Sequence, residues 1–164
     1  MLTLRSARHR FRSLRDVVHL AMSPNEPCYT ANLAALSREQ VEAWLRSPAV
    51  NAAWREASSR IASAIEIGDG QTEGVNPGDR RALFHLVAGA RARSVLEIGT
   101  NVGASTINIA AALLHNGKES ANLTTVDICD VNDPVTGYWK ARGLARSPRD
   151  AMALIGAGDV VRFV

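Results

Sequence analysis

The chain has 164 residues, 46% of them hydrophobic and 21% charged, with a formal net charge of +3. That length and mix suit one globular domain with an added helical part, and exclude a low-complexity or collagen-like chain. No apolar run is long enough to cross a bilayer, and the two cysteines, Cys28 and Cys129, make no disulfide framework and show no metal-ligand spacing.

A reduced, cytoplasmic setting is therefore expected. The positive charge sits at one end: Arg5, Arg8, Arg10, Arg12 and Arg15 open the chain, and the remainder is mildly acidic. Nucleic-acid binding calls for a basic stripe on the folded body, and none is visible. Neither nucleic acid nor membrane is expected as a partner. The arginine-rich start, free of acids until Asp16, fits an organelle transit peptide or the basic face of a helix. Arginine outnumbers lysine seventeen to two across the chain, so the helix face is the plainer reading.

In chain order, residues 5–22 fit a helix with Leu14, Val17 and Val18 on one side, and Pro24 and Pro27 then break the chain. Ser37 with Gln40 makes a capping box that opens a short helix through Trp44 and Leu45. Ser47-Pro48 opens a second, with proline in its first turn. Val50, Trp54, Ala57, Ile61 and Ile65 recur at helical spacing along it. Residues 68–74 read as a flexible loop. Asn76-Pro77 starts a third helix, with Asp79 favourable in its first turn and Leu83, Leu86, Val87 and Ala90 on its buried face.

From Ser94 the pattern changes. Residues 95–99 read as a buried strand, 104–115 as a helix stopped by Asn116-Gly117, and 123–128 as a second strand. Asp133-Pro134 and Ser147-Pro148 each look like helix starts, and 159–164 reads as a third strand. Strand, helix, strand, helix, strand argues for an α/β fold with a parallel sheet and right-handed crossovers, preceded by a mostly helical extension.

The chemistry concentrates where the first strand ends, at Glu97-Ile-Gly-Thr-Asn-Val-Gly103. A strand that turns sharply into a helix N-terminus points backbone N–H groups and partial positive charge at one spot. Gly99 permits the turn and close approach of a ligand, and Gly103 lets the helix start pack near the strand. Ser105, in the first helical turn, is placed to hold a carboxylate. Asp127 ends the next strand, so both acids share the sheet edge where ligands of such folds bind. A carboxylate there accepts both hydroxyls of a ribose. A dinucleotide would prefer G-x-G-x-x-G and would bring its pyrophosphate close to Glu97. S-adenosylmethionine, with an ammonium and a sulfonium, fits the acid better. A strand–turn–helix with no ligand is the third alternative.

These residues carry a family resemblance. Val95-Leu-Glu-Ile-Gly-Thr-Asn-Val-Gly-Ala-Ser105 resembles the first motif of class I S-adenosylmethionine-dependent methyltransferases, nearest to small-molecule O-methyltransferases of the catechol and caffeoyl-CoA type. Thr124-Thr-Val-Asp-Ile128 is similar to their second-strand motif. The resemblance implies a Rossmann-like parallel sheet of about three strands here. It implies Asp127 on the ribose and Ile128 against adenine. Glu97, Gly99 and Asn101 would line the methionine part, Ser105 would hold its carboxylate, and Thr100 and Gly103 would belong to the same cofactor-binding set. Gly74-Val-Asn-Pro-Gly-Asp79 resembles the segment that closes over the cofactor, with Val75 at the matching position.

The family's sheet has seven strands, and this sequence reaches only the third. Residues 1–73 are then expected as an N-terminal helical extension and 74–164 as a partial S-adenosylmethionine-binding domain. The expected protein is a cofactor-binding half, a truncated reading frame, or a module needing a partner chain. Its acceptor would be a small-molecule hydroxyl. The family's divalent metal and its catalytic residues have no counterparts in this sequence, so no catalytic residue is assigned. An uncovered first strand predicts self-association or a completing chain. A dinucleotide or nucleotide-sugar enzyme remains the third reading.

His9, His19, His85 and His115 are scattered and read as surface or helix-end residues. Trp44 and Trp54 read as packing between helices, with an aromatic substrate pocket as the alternative. Tyr138 and Trp139 read as a helix anchor, with ligand contact as the alternative.

Overall fold

A computed structural model describes residues 37–65 and 75–164. The expected helix over 5–22, the Pro24 and Pro27 break, the loop over 68–74, His9, His19 and Cys28 lie outside the described residues. The described elements are helices α1 (Arg38–Arg46), α2 (Pro48–Ala64) and α3 (Pro77–Gly89), strand β1 (Ser94–Ile98), helix α4 (Ala104–Gly117) with a 3-10 turn (Lys118–Ser120), strand β2 (Asn122–Val126), the single-turn helix α5 (Tyr138–Ala141), helix α6 (Pro148–Leu154) and strand β3 (Val161–Phe163). The fold is α/β, with a partial Rossmann-like sheet preceded by helices.

Local signals set the helix starts. Ser37 Oγ accepts the Gln40 N–H at 3.2 Å and Gln40 Oε1 accepts the Ser37 N–H at 2.9 Å, the reciprocal pair of a capping box. Ser47, Asn76 and Ser147 cap α2, α3 and α6 with their side-chain oxygens, each followed by proline where a missing N–H costs nothing. Asp133-Pro134, expected to start a helix, forms a turn instead. Asp133 Oδ1 accepts the N–H groups of Val135 and Thr136, both at 2.7 Å, which satisfies the backbone locally and leaves the helix to begin at Tyr138.

The three strands are parallel in the order β1-β2-β3. Val95, Leu123 and Val161 share one row, and Glu97, Thr125 and Phe163 the next row on that face. This face meets the helices. Leu123 packs with Phe84 of α3, Ile107 and Leu113 of α4, and Met152 of α6 in one core. The α2 stripe joins the same core through Ala57, Ile61 and Ile65, with Val50 and Trp54 packed at its margin. The described residues, 37–65 and 75–164, accordingly belong to one compact unit.

The opposite face is different. Right-handed crossovers that step in one direction, β1 to β2 to β3, bring their helices to a single side of the sheet. Leu96 is left 65% exposed and Ile98 84% exposed. Among the described residues β1 pairs on one side only, so its other edge offers open backbone groups.

Two expectations about α3 are corrected. Its buried residues are Phe84, His85 and Ala88; Leu83, Leu86 and Val87 are half-buried and Ala90 is exposed. The helix is wedged between α1 and α2 on one side and α4 on the other, so the centre of contact rotates to the Phe84–Ala88 pair. His85, expected at a surface or a helix end, is 0% exposed. Its Nδ1 lies 2.7 Å from the Arg81 carbonyl and its Nε2 lies 3.2 Å from Asn51 Oδ1, so both ring nitrogens have polar neighbours. His115, exposed in the last turn of α4, keeps its helix-end place. Trp54 packs against Phe84 with ring centroids 5.4 Å apart. Trp139 is buried, while its neighbour Tyr138 is half-buried.

Burial pushes the His85 imidazole below its ordinary value, so folding favours its neutral form. The unfolded chain then binds more protons below about pH 6.5, and stability falls with pH there. Thermal melts of the wild type should lose ground to His85→Gln between pH 7 and pH 5, relative to their difference at pH 8. Parallel profiles would contradict this. The bare sheet face predicts a second outcome. On a sizing column the wild type should show concentration-dependent association, and the double variant Leu96→Lys/Ile98→Lys should run smaller. A wild type that stays monomeric at every concentration would refute it.

Candidate ligand site

The loop after β1 is held from beneath by Glu97. This carboxylate is only 8% exposed, which would be costly without donors. Three hydroxyls supply them. Thr106 Oγ1 and Thr125 Oγ1 donate to Oε2 at 2.6 and 2.7 Å, and Ser105 Oγ donates to Oε1. With its hydrogen given to Glu97, Thr125 Oγ1 accepts the Thr100 hydroxyl at 2.6 Å. One chain of hydrogen bonds therefore ties β1, β2, the loop and the first turn of α4 together.

In this arrangement Glu97 and Ser105 are bonded to each other. Glu97 sits under the loop against the first turn of α4, where its charge meets the positive end of the helix dipole. Ser105, expected to hold a ligand carboxylate, gives its hydroxyl to Glu97. Thr100 is 2% exposed and serves the same network. Gly103, in the left-handed region at φ 82, lies against Pro148 and Met152 of α6. A Cβ there would lie 3.1 Å from the Pro148 Cβ. Val75 precedes α3, and its carbonyl accepts from Arg80 Nε at 2.5 Å. It lies outside the clefts described next.

Above the loop the surface is open. Gly99 has φ 94, and a Cβ added to it would meet nothing within 4 Å. It borders a cleft of about 600 Å³, together with Asn101, Asp127, Ile128, Tyr138 and Arg142. That size falls within the usual range for small-molecule sites. A second cleft of about 380 Å³ adjoins it and shares Asp127 and Ile128, with Thr100, Asn132, Arg149 and Phe163 on its other walls. Asp127 therefore stands between two hollows, one residue past the end of β2, the strand that pairs with the strand of Glu97. Ile128 beside it is 97% exposed.

Asp127 is poised by backbone donors. Oδ2 accepts the Asn101 N–H at 2.9 Å and Oδ1 the Ile128 N–H at 2.8 Å. Burial pushes its carboxyl up, but these bonds and that of Cys129 more than offset it, so it lies below the ordinary carboxylate value. At neutral pH it is an acceptor with remaining lone pairs.

The loop's N–H groups bear on the choice of ligand. Gly99 N–H bonds the Val126 carbonyl at 2.8 Å, Asn101 N–H bonds Asp127, and Gly103 N–H bonds the Thr100 carbonyl at 2.8 Å. A pyrophosphate cradle needs such donors aimed at the ligand. Here these three serve the loop and the end of β2, and Glu97 already lies at the helix start. Three donors that a phosphate cradle could use are thereby spent within the fold.

Of the residues singled out in the sequence, Gly99, Asn101, Asp127 and Ile128 come together around the main cleft, and Thr100 faces the adjoining one. Arg142 was not legible as a lining residue, because its place depends on the irregular path from Ile128 to Ser147. Among the described residues no group of three or more His, Cys, Asp or Glu side chains is placed to hold a metal ion. No helix among them is long and apolar enough to cross a membrane. No family model, no curated protein and no solved structure matches the chain.

The anchoring role of the hydroxyls is testable. Thr125→Val removes a donor from buried Glu97 and should destabilise the fold by about 1–3 kcal/mol in denaturant titrations. Thr124→Val, on the other sheet face, should cost less than about 0.5 kcal/mol. Equal effects at the two positions would contradict the anchor.

Proposed function

We propose that this chain binds S-adenosylmethionine as the cofactor-binding part of a methyltransferase acting on a small-molecule hydroxyl. The observation that carries the reading is Asp127, an acceptor held at the tip of β2 between two connected clefts. A ribose diol on that carboxylate would leave one hollow for a base and the other for the remainder of the ligand. Ile128 offers an exposed apolar surface beside it for the base, and Gly99 leaves the approach clear. The sequence resemblance over residues 95–105 and 124–128 supports the same ligand. When bound, S-adenosylmethionine supplies a methyl group made electrophilic by the sulfonium. The protein's part would be to hold and orient it.

A second reading is a non-catalytic binding module completed by a second copy or another chain. The bare sheet face and the open β1 edge favour it. A methyl-transfer assay separates the two. Under either reading the protein belongs in a reducing, cytoplasmic setting, with Cys129 a free thiol.

Isothermal calorimetry with S-adenosylhomocysteine tests the ligand directly. The wild type should bind, and Asp127→Ala should weaken binding by about 10- to 100-fold, the loss of hydrogen bonds to a charged acceptor. Equal binding by the two proteins would refute the ribose assignment.

A further inference from the structure

We infer that Arg142 receives the carboxylate at the amino-acid end of the donor, the task that Ser105 does not have free. The inference rests on the S-adenosylmethionine reading above and deepens it by naming a residue that selects for the whole donor over its adenosine part.

Two charged residues line the main cleft, Asp127 and Arg142. Both are tied to Asn101. The Asn101 N–H donates to Asp127, while its side-chain Oδ1 accepts from Arg142 Nη1 at 2.7 Å. Asn101 adopts φ 51, a left-handed conformation that asparagine tolerates better than most residues. The acid and the cation therefore flank the loop at positions fixed by one residue. The Arg142 guanidinium also lies 5.9 Å from the centre of the Tyr138 ring, which steadies its plane.

The donor carries an ammonium, a sulfonium and a carboxylate. A guanidinium facing the sulfonium would repel it. A carboxylate between the two cations turns that repulsion into attraction. A guanidinium also matches a carboxylate in a planar, two-bond fork that a hydroxyl cannot offer. Ser105 gives its hydroxyl to Glu97. The other arginine near Asp127 is Arg149, in the adjoining cleft, where its guanidinium lies 5.7 Å from the centre of the Phe163 ring. That cleft, with an aromatic wall and the amide of Asn132, suits the base.

The test is calorimetry with two probes, S-adenosylhomocysteine and 5′-methylthioadenosine, which keeps the adenosine and thioether but lacks the amino-acid end. The wild type should prefer S-adenosylhomocysteine. Arg142→Gln should weaken S-adenosylhomocysteine by about 10- to 100-fold and 5′-methylthioadenosine by less than about twofold. Arg142→Met, which keeps the stem packed near Tyr138, should behave alike and guards against a folding defect in one variant. Arg149→Gln should not change the preference. Equal loss for both probes would overturn the inference, because Arg142 would then act only by holding Asn101. So would unchanged affinity for S-adenosylhomocysteine, or a preference lost in Arg149→Gln instead. A wild type that binds both probes equally overturns the inference and leaves the adenosine site standing. A wild type that binds neither overturns the ligand reading, and this inference with it.

Discussion

The buried carboxylate of Glu97 is the constraint on which the rest of the site depends. An acid beneath a loop is tolerated only when donors surround it, and here they come from two strands and a helix. Meeting that demand fixes the relative placement of β1, β2 and the first turn of α4. It also places a carboxylate where a phosphate cradle would hold its anion. The helix start lies against the Glu97 carboxylate, and the N–H groups of Gly99, Asn101 and Gly103 close on Val126, Asp127 and Thr100. What remains available to a ligand is the open space over Gly99 and the acceptor at the tip of β2. The selectivity proposed for the site follows from what the anchor has already used.

The sheet carries a second constraint. Among the described residues, crossovers that step in one direction build a helical layer on one face and none on the other. The core is therefore one-sided, with α4 buried between the sheet, α3 and α6, and with α2 docked through Ala57 and Ile61. The apolar side chains of Leu96 and Ile98 point away from that core. In an open α/β sheet the ligand crevice lies where the strand order reverses, and here the edge of β1 borders the cleft. Whatever covers that edge would also complete the wall of the site beside Ile98 and Gly99. The proposed binding and association would thereby be linked through one strand.

Much of the fold was legible because its signals are local. Ser37 with Gln40, Ser47-Pro48, Asn76-Pro77 and Ser147-Pro148 each cap the helix they announce, and their chemistry needs nothing beyond a few neighbouring residues. The two glycines with positive φ flanking Thr100 to Val102 likewise declare a bend. Asp133 shows the limit of that logic, since the same residue pair serves a turn as readily as a helix start. The rest depended on partners far along the chain. His85 is buried because Asn51 of another helix meets its ring. Ser105 is committed because Glu97 lies beneath it. Arg142 reaches the cleft because an irregular segment folds back to Asn101. No periodicity or spacing records those meetings.

The most direct test of the account is a crystal structure of this chain with S-adenosylhomocysteine. The account predicts ribose hydroxyls within about 2.6–3.2 Å of the Asp127 carboxylate, with Glu97 still held by Ser105, Thr106 and Thr125. A ligand seated away from Asp127, or a Glu97 carboxylate turned out of its hydroxyl cage to meet the ligand, would contradict it.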